Sequence, residues 1–252
     1  MSVERVYLNN SLRNFNYFFI SRSSGAVLVI DPFDAELIFE TCKNNSWKIT
    51  AIFNTHEHHD HTKGNLELKK MTNATVYGPA ALANKIPGCD VSLRADEELI
   101  LDSQNKFKML SLPGHTLGHA ALFHDSGDSN PCLFCGDTIF NAGCGNCYRG
   151  GDAKTLYSTL CDLLLKIPDD TILFPGHDYL ENNLQFAAHE GYASDSSAML
   201  LSKCEEIGFS TDYLATLSQE LEYNPFLKIC KQPTTDENLA EFLRLRAKRD
   251  SW

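Results

Sequence analysis

The run Thr55-His56-Glu57-His58-His59-Asp60-His61 follows directly on the apolar stretch Ile49-Thr-Ala-Ile-Phe53. In an extended segment His56 and His58 project to the same side, because strand side chains alternate with period two. Asp60 and His61 come where the chain leaves the strand, so ligand-type side chains can converge from one strand end and its turn. Imidazole plus carboxylate is the ligand set of zinc, iron and manganese sites.

A lone His-x-His reads as a solvated loop, but three further strand ends present the same chemistry. His115 stands in Leu112-Pro-Gly-His-Thr116, Asp137 in Phe134-Cys-Gly-Asp-Thr138 and His177 in Phe174-Pro-Gly-His-Asp178. Each follows an apolar run and a glycine, which lets the backbone turn sharply and aim the next side chain into a cleft. The pool of His56, His58, His61, His115 and His177 with Asp60 and Asp137 exceeds what one four-coordinate zinc uses. A pair of divalent ions uses them all. Two such ions roughly 3.5–4 Å apart can hold a bridging hydroxide as nucleophile, polarise a carbonyl and stabilise a departing group. Lowering the pKa of bound water supplies hydroxide at neutral pH without an activated serine or cysteine. Metal-assisted hydrolysis is the reaction class this predicts.

The elements that must position these residues are short. Ala26–Ile30, Ile49–Phe53, Ala74–Tyr77, Phe107–Leu112, Ala120–Phe123, Pro131–Phe134 and Thr171–Phe174 read as strands. A helix is predicted over Ala153–Ile167, with Asp152 as N-cap and Leu156, Leu160, Leu163 and Leu164 as its apolar stripe. Strands alternating with helices argue for an α/β sandwich. After His177 the pattern turns helical, over Leu180–Glu190, Ser197–Ile207, Tyr213–Glu222 (with Thr211 as a cap candidate) and Asp236–Lys248. Two domains are expected, 1–177 for catalysis and 178–252 as a small helical unit.

Composition narrows the setting. The 252 residues can bury a sizeable core, and 43% hydrophobic with 22% charged residues is ordinary for a globular protein. No stretch approaches the roughly 20 apolar residues of a membrane span, and Met1-Ser2-Val3-Glu4-Arg5 lacks the basic start of a secretory signal, so a cytoplasmic protein is expected. With 22 Lys and Arg against 33 Asp and Glu, the net charge of -11 disfavours non-specific binding to nucleic acid. It does not exclude an anionic ligand, since bound dications set the local sign. Nine cysteines cannot all pair within one chain. Cys132-Leu-Phe-Cys135 and Cys144-Gly-Asn-Cys147 have structural-zinc spacing, but Cys132 to Phe134 lies in an apolar run, so core and loop thiols are expected.

The ligand run, Pro-Gly-His115, Gly-Asp137 and Gly-His177 resemble the metallo-β-lactamase superfamily. Thr55-His-Glu-His-His-Asp-His-Thr-Lys-Gly-Asn65, Gly143-Cys-Gly-Asn-Cys-Tyr148, Gly176-His-Asp-Tyr-Leu-Glu-Asn-Asn183, Asn224-Pro-Phe-Leu227 and Arg246-Ala-Lys-Arg-Asp250 are similar, more narrowly, to its glyoxalase II (hydroxyacylglutathione hydrolase) branch. The resemblance spans nearly the whole chain. It implies an αββα sandwich followed by a small all-helical C-terminal domain that binds substrate. It also implies two divalent metal ions per chain, zinc first, with iron or manganese as alternatives. One ion falls to His56, His58 and His115, the other to Asp60, His61 and His177, with Asp137 bridging and Asp60 also orienting the hydroxide. His59 falls at a variable position and is no ligand. His119, His124 and His189 are assigned structural or surface roles, with His119 placed to support a ligand. The implied substrate is S-D-lactoylglutathione, cleaved to D-lactate and glutathione. Tyr148 and Tyr179 fall on positions that contact the peptide, Arg246 and Arg249 where a basic pair receives its glycyl carboxylate. Arginine suits that task by bidentate pairing. A monomer with no nucleic-acid or membrane partner is expected.

Three positions depart from the family pattern: Asn146 stands where a lysine is usual, Lys63 where a glycine is, and Arg249 where a lysine is. The nearest rival is a persulfide dioxygenase, which shares these motifs but uses one iron and lacks the helical tail. A catalytically silent metal-binding module is the other, and donors at all seven positions argue against it.

Overall fold

The computed structural model describes residues 2–207 and 213–252, in two compact units. The first comprises Met1–Ser111 and Gly118–Gly136, the second Leu112–Leu117 and Asp137–Trp252.

In the first unit the chain forms β1 (Ser2–Tyr7), β2 (Phe15–Ile20), β3 (Ala26–Ile30), α1 (Ala35–Asn44), β4 (Lys48–Phe53), α2 (His59–Thr62), α3 (Asn65–Thr72), β5 (Thr75–Pro79) and β6 (Val91–Leu93). The strands β7 (Glu98–Ile100), β8 (Lys106–Ser111), β9 (Ala120–His124) and β10 (Cys132–Gly136) complete it. One mixed sheet runs β1-β2-β3-β4-β5-β6, antiparallel across its first three strands and parallel from β3 onward. The second sheet of this unit runs β10-β9-β8-β7, antiparallel throughout. The strands expected from the sequence are present, their ends shifted by a residue or two. The structure adds β1, β2, β6 and β7. Every residue of β2 is buried, so it shows no apolar-polar alternation to read.

That burial is two-sided. Phe18 and Ile20 pack with Ile38 and Cys42 of α1 and Leu68 of α3, on the outer face of the mixed sheet. Tyr17 and Phe19 point the other way: the Phe19 ring meets Phe107 edge-on at 4.7 Å and Tyr17 lies 5.8 Å from Phe134. The two sheets therefore sandwich an aromatic layer, with α1 and α3 outside. Asp34 starts α1, its Oδ1 accepting from Leu37 N at 3.0 Å. Cys132 is buried in β10, and burial pushes its thiol up to about 12. Among the described residues no cysteine joins a group that could hold a metal; Cys132, Cys135 and Cys144 are buried thiols and Cys147 is half-buried.

The second unit carries the hairpin β11 (Ile139–Phe140) and β12 (Gly143–Cys144), α4 (Ala153–Leu163), β13 (Ile172–Pro175), and the helices α5 (Leu180–His189), α6 (Asp195–Ile207), α7 (Leu217–Tyr223), α8 (Pro225–Cys230) and α9 (Asp236–Asp250). Asp152 caps α4 as expected, accepting from Thr155 N at 2.7 Å. The helix ends at Leu163 rather than Ile167, with Leu164 as its C-cap. The stretch expected to be helical from Tyr213 begins only at Leu217. Residues before it are drawn into an isolated bridge between Thr216 and Ile172, and Thr216 forms a capping box with Gln219. Thr211 lies outside the described residues. Asn224 and Pro225 begin α8, a helix the periodicity does not single out, with the Asn224 side chain accepting from Phe226 and Leu227 N–H. Tyr157 of α4, Phe226 of α8 and Phe242 of α9 share one aromatic cluster, with ring separations of 5.3 and 5.4 Å.

Candidate metal centre

In the first unit the ligand run leaves β4 after Phe53. His56 follows in a bend, while Asp60 and His61 sit on the single turn of α2. The chain is held there by Asp31, at the end of the neighbouring β3. Asp31 Oδ1 accepts from Thr55 N at 2.7 Å, and Oδ2 accepts from Thr55 Oγ1 at 2.7 Å and from His61 Nδ1 at 2.9 Å. A carboxylate only accepts, so Nδ1 of His61 carries its hydrogen and Nε2 is left with a lone pair. Thr55 Oγ1 gives its hydrogen to Asp31, so it can accept from His56 Nδ1 at 3.0 Å. One buried carboxylate thus sets the tautomer of two histidines, His61 directly and His56 through Thr55.

The donors converge locally. His56 Nε2 lies 3.0 Å from His58 Nδ1, and His61 Nε2 lies 3.3 Å from Asp60 Oδ2. Asn14 Nδ2 donates to Asp60 Oδ2 at 3.0 Å, which helps to hold that half-buried carboxylate beside His61. His119 is buried and stacks on His56 at 4.9 Å. Gly136 permits that stack: with φ at 48°, an added Cβ would lie 2.8 Å from His119 Nε2. His59 and His189 are exposed, and His124 is buried among Phe19 and Phe107.

In the second unit His115, Asp137 and His177 are all buried. Asp137 Oδ2 lies 3.4 Å from His115 Nε2 and 3.2 Å from His177 Nε2, so one carboxylate oxygen faces both imidazoles. The Asn146 carbonyl accepts from His115 Nδ1 at 2.7 Å, which leaves Nε2 of His115 without a hydrogen. The His177 ring is stacked on Tyr179, 5.0 Å between centroids and 5° between planes.

Both sets suit divalent ions in donor type: His56, His61 and His115 have their outer N–H engaged and Asp60 is held by Asn14, which is how proteins present imidazole and carboxylate ligands. Asp31 and Asn14 were not among the residues expected here. Asp31 had a signal, since it ends the apolar run Ala26–Ile30 as Asp137 ends another; Asn14 had none. Asp31→Asn is expected to weaken metal binding roughly 10- to 100-fold, because the amide has one oxygen for the two carboxylate positions and its NH2 must meet either the Thr55 N–H or the donors Thr55 Oγ1 and His61 Nδ1. Competition with a chromophoric chelator measures this, and an unchanged affinity would remove Asp31 from the site.

Of the expected substrate contacts, Tyr148 is exposed, with Arg149 over its ring at 5.7 Å. Tyr179 is half-buried. Arg249 is half-buried and donates from Nε to Asn183 Oδ1 at 3.0 Å and from NH2 to Asn182 Oδ1. Its burial, and then the charge of Arg246, hold its pKa below the ordinary arginine value. Arg246 is buried, with NH1 on the Cys144 carbonyl at 2.6 Å and NH2 on Asp250 Oδ1 at 2.9 Å. Its guanidinium is tied to β12 and to its own helix.

Two family models match the chain. Residues 14–177 match the metallo-beta-lactamase superfamily, and residues 178–252 match the hydroxyacylglutathione hydrolase C-terminus. A protein of Nitrosococcus oceani named hydroxyacylglutathione hydrolase is 37% identical, with all of both chains covered. One of Arabidopsis thaliana, named cytoplasmic hydroxyacylglutathione hydrolase, is 30% identical over 95% of each. Among solved structures, ETHE1 from Myxococcus xanthus superposes with a TM-score of 0.68 at 23% identity, over 100% of this chain and 99% of that one, a likeness of fold.

Proposed function

This chain belongs to the metallo-beta-lactamase superfamily, in the branch with a hydroxyacylglutathione hydrolase C-terminus, and from that membership we propose that it hydrolyses S-D-lactoylglutathione and related S-2-hydroxyacylglutathiones to the hydroxy acid and glutathione. The observation that carries this reading is the full-length match to hydroxyacylglutathione hydrolases, helical tail included. Donors already oriented in both units support it.

In this reading His56, His58 and His115 hold one divalent ion and Asp60, His61 and His177 the other, with Asp137 shared. Zinc is the first choice, iron or manganese the alternatives, since imidazole and carboxylate suit all three. When bound, the ions supply an activated water and a Lewis acid for the thioester carbonyl. The protein's own part is orientation. Asp31 and the Asn146 carbonyl hold imidazole tautomers, and Asp60, fixed by Asn14, orients the attacking water. A thiolate leaves without a strong general acid. Tyr148 and Tyr179 contact the glutathione peptide, while Arg249 receives its glycyl carboxylate and Arg246 adds positive charge from its buried place. Residues 1–177 form the catalytic domain and 178–252 the substrate-binding domain, a division that the ranges of the two family models support.

The protein acts as a cytoplasmic monomer without nucleic-acid or membrane partners. Among the described residues no helix is long and apolar enough to cross a membrane. One preparation assayed with the lactoyl thioester, a β-lactam and glutathione persulfide, alongside elemental analysis, tests the reading. Thioester turnover with two metals per chain is expected; oxygen consumption with the persulfide overturns it. Asn146→Lys is expected to lower KM for the thioester roughly two- to five-fold, the yield of one exposed ion pair of about 0.5–1 kcal/mol. A KM that stays put or rises would move the loop away from the glutathione.

A further inference from the structure

Glu220 takes no part in the chemistry above, yet its carboxylate is fully buried on α7. Four donors meet it. Oε1 accepts from Asn141 Nδ2 at 3.0 Å and from the Tyr223 hydroxyl at 2.8 Å. Oε2 accepts from the Ala142 N–H and from Asn224 Nδ2, both at 2.9 Å. Only a carboxylate can accept four donors at one point; an amide offers one oxygen and brings hydrogens of its own. Burial pushes the pKa of Glu220 up, against the pull of those donors.

Two of the four belong to the turn between β11 and β12, where Ala142 holds φ at 57°, a region side chains rarely adopt. The same turn is gripped elsewhere. Asn224 Nδ2 also reaches the Gly143 carbonyl at 3.0 Å, Asn183 Nδ2 donates to the Asn141 carbonyl at 2.9 Å, and Arg246 donates to the Cys144 carbonyl at 2.6 Å. Past β12 the chain reaches Asn146, whose carbonyl accepts from His115 Nδ1 at 2.7 Å.

We propose that Glu220 is a positioning residue for His115: by holding the Asn141–Ala142 turn it fixes the hairpin whose continuation presents the Asn146 carbonyl to Nδ1, keeping the ring hydrogen of His115 on Nδ1 and its Nε2 turned toward Asp137. Its consequence for a bound cation rests on the reading of His115 as a metal ligand. The Tyr223 hydroxyl, in contrast, bonds Glu220 and the Tyr213 hydroxyl, while its ring, which packs in one cluster with Ala142, is kept by phenylalanine, so the two kinds of donor separate a positioning role from a general packing one.

The test uses the full chain with Glu220→Gln, Asn141→Ala and Tyr223→Phe, read by long-range nitrogen-proton NMR of the histidine rings and by titration with zinc alone. Wild type is expected to show His115 protonated at Nδ1. Glu220→Gln is expected to mix its tautomers and weaken one of two zinc sites about ten-fold, the range of lost supporting contacts, while the other site and the folded circular dichroism persist. Asn141→Ala, which removes a single donor, is expected to do the same to a smaller extent, and it carries the test if Glu220→Gln does not fold. Tyr223→Phe should match wild type. A folded Glu220→Gln, or failing that Asn141→Ala, with wild-type tautomer and both zinc affinities intact overturns the proposal. A tautomer that shifts in a chain that binds no zinc would instead sink the two-ion reading and leave the positioning role standing.

Discussion

Asp137→Ala is expected to lower kcat for the glutathione thioester by ~10³-fold or more, above the usual loss of one transition-state donor, and to leave the purified chain short of metal. The carboxylate oxygen Oδ2 faces His115 Nε2 at 3.4 Å and His177 Nε2 at 3.2 Å, so its removal takes from both imidazoles the anion they meet. Two cations sharing a site need such a charge between them, because like charges at that spacing repel strongly in a partly dry pocket. Steady-state hydrolysis of the thioester with elemental analysis of the same sample reads both effects. A variant that keeps kcat within ten-fold of wild type would deny Asp137 a shared role.

Gly145→Ala is the second large effect. A Cβ there would overlap the Asp137 carbonyl oxygen and lie 3.0 Å from His115 Nδ1, the atom that donates to the Asn146 carbonyl. Either the loop or the histidine must give way. Overpacking of this kind costs ~1–3 kcal/mol of stability, and a displacement of about 1 Å at a reacting group costs about 10²-fold in rate. Thermal unfolding and kcat/KM, measured together, should both fall. If kcat/KM holds while the melting temperature drops, the loop is a packing element with no bearing on His115.

The seven side chains proposed as metal donors stood out in the sequence because each is a chemically unusual side chain at the end of an apolar run, where period-two strands must hand over to a loop. Asp31 shares that placement at the end of β3 but has no histidine beside it, and its task appears only when β3 lies against β4. Asn14 and Glu220 carry no such mark. Their partners Asp60 and Asn141 are 46 and 79 residues away in sequence, and ordinary polar residues acquire those roles through tertiary contact alone. The sandwich and the helical tail followed from periodicity. The start of α7 did not, because Thr216 answers to a backbone bridge with Ile172 as well as to local propensity. Arg246 shows the reverse case: the family resemblance implies an anion site there, yet its burial against the Cys144 carbonyl makes it first a tie between α9 and the hairpin.

X-ray absorption at the metal edge, on zinc-loaded full-length chain whose metal content is measured in parallel, decides whether the donors of the two units serve one centre. Two ions per chain, each with nitrogen and oxygen neighbours and a second metal at about 3.5–4 Å, is the result predicted. One ion per chain, or two with no metal neighbour, would contradict it.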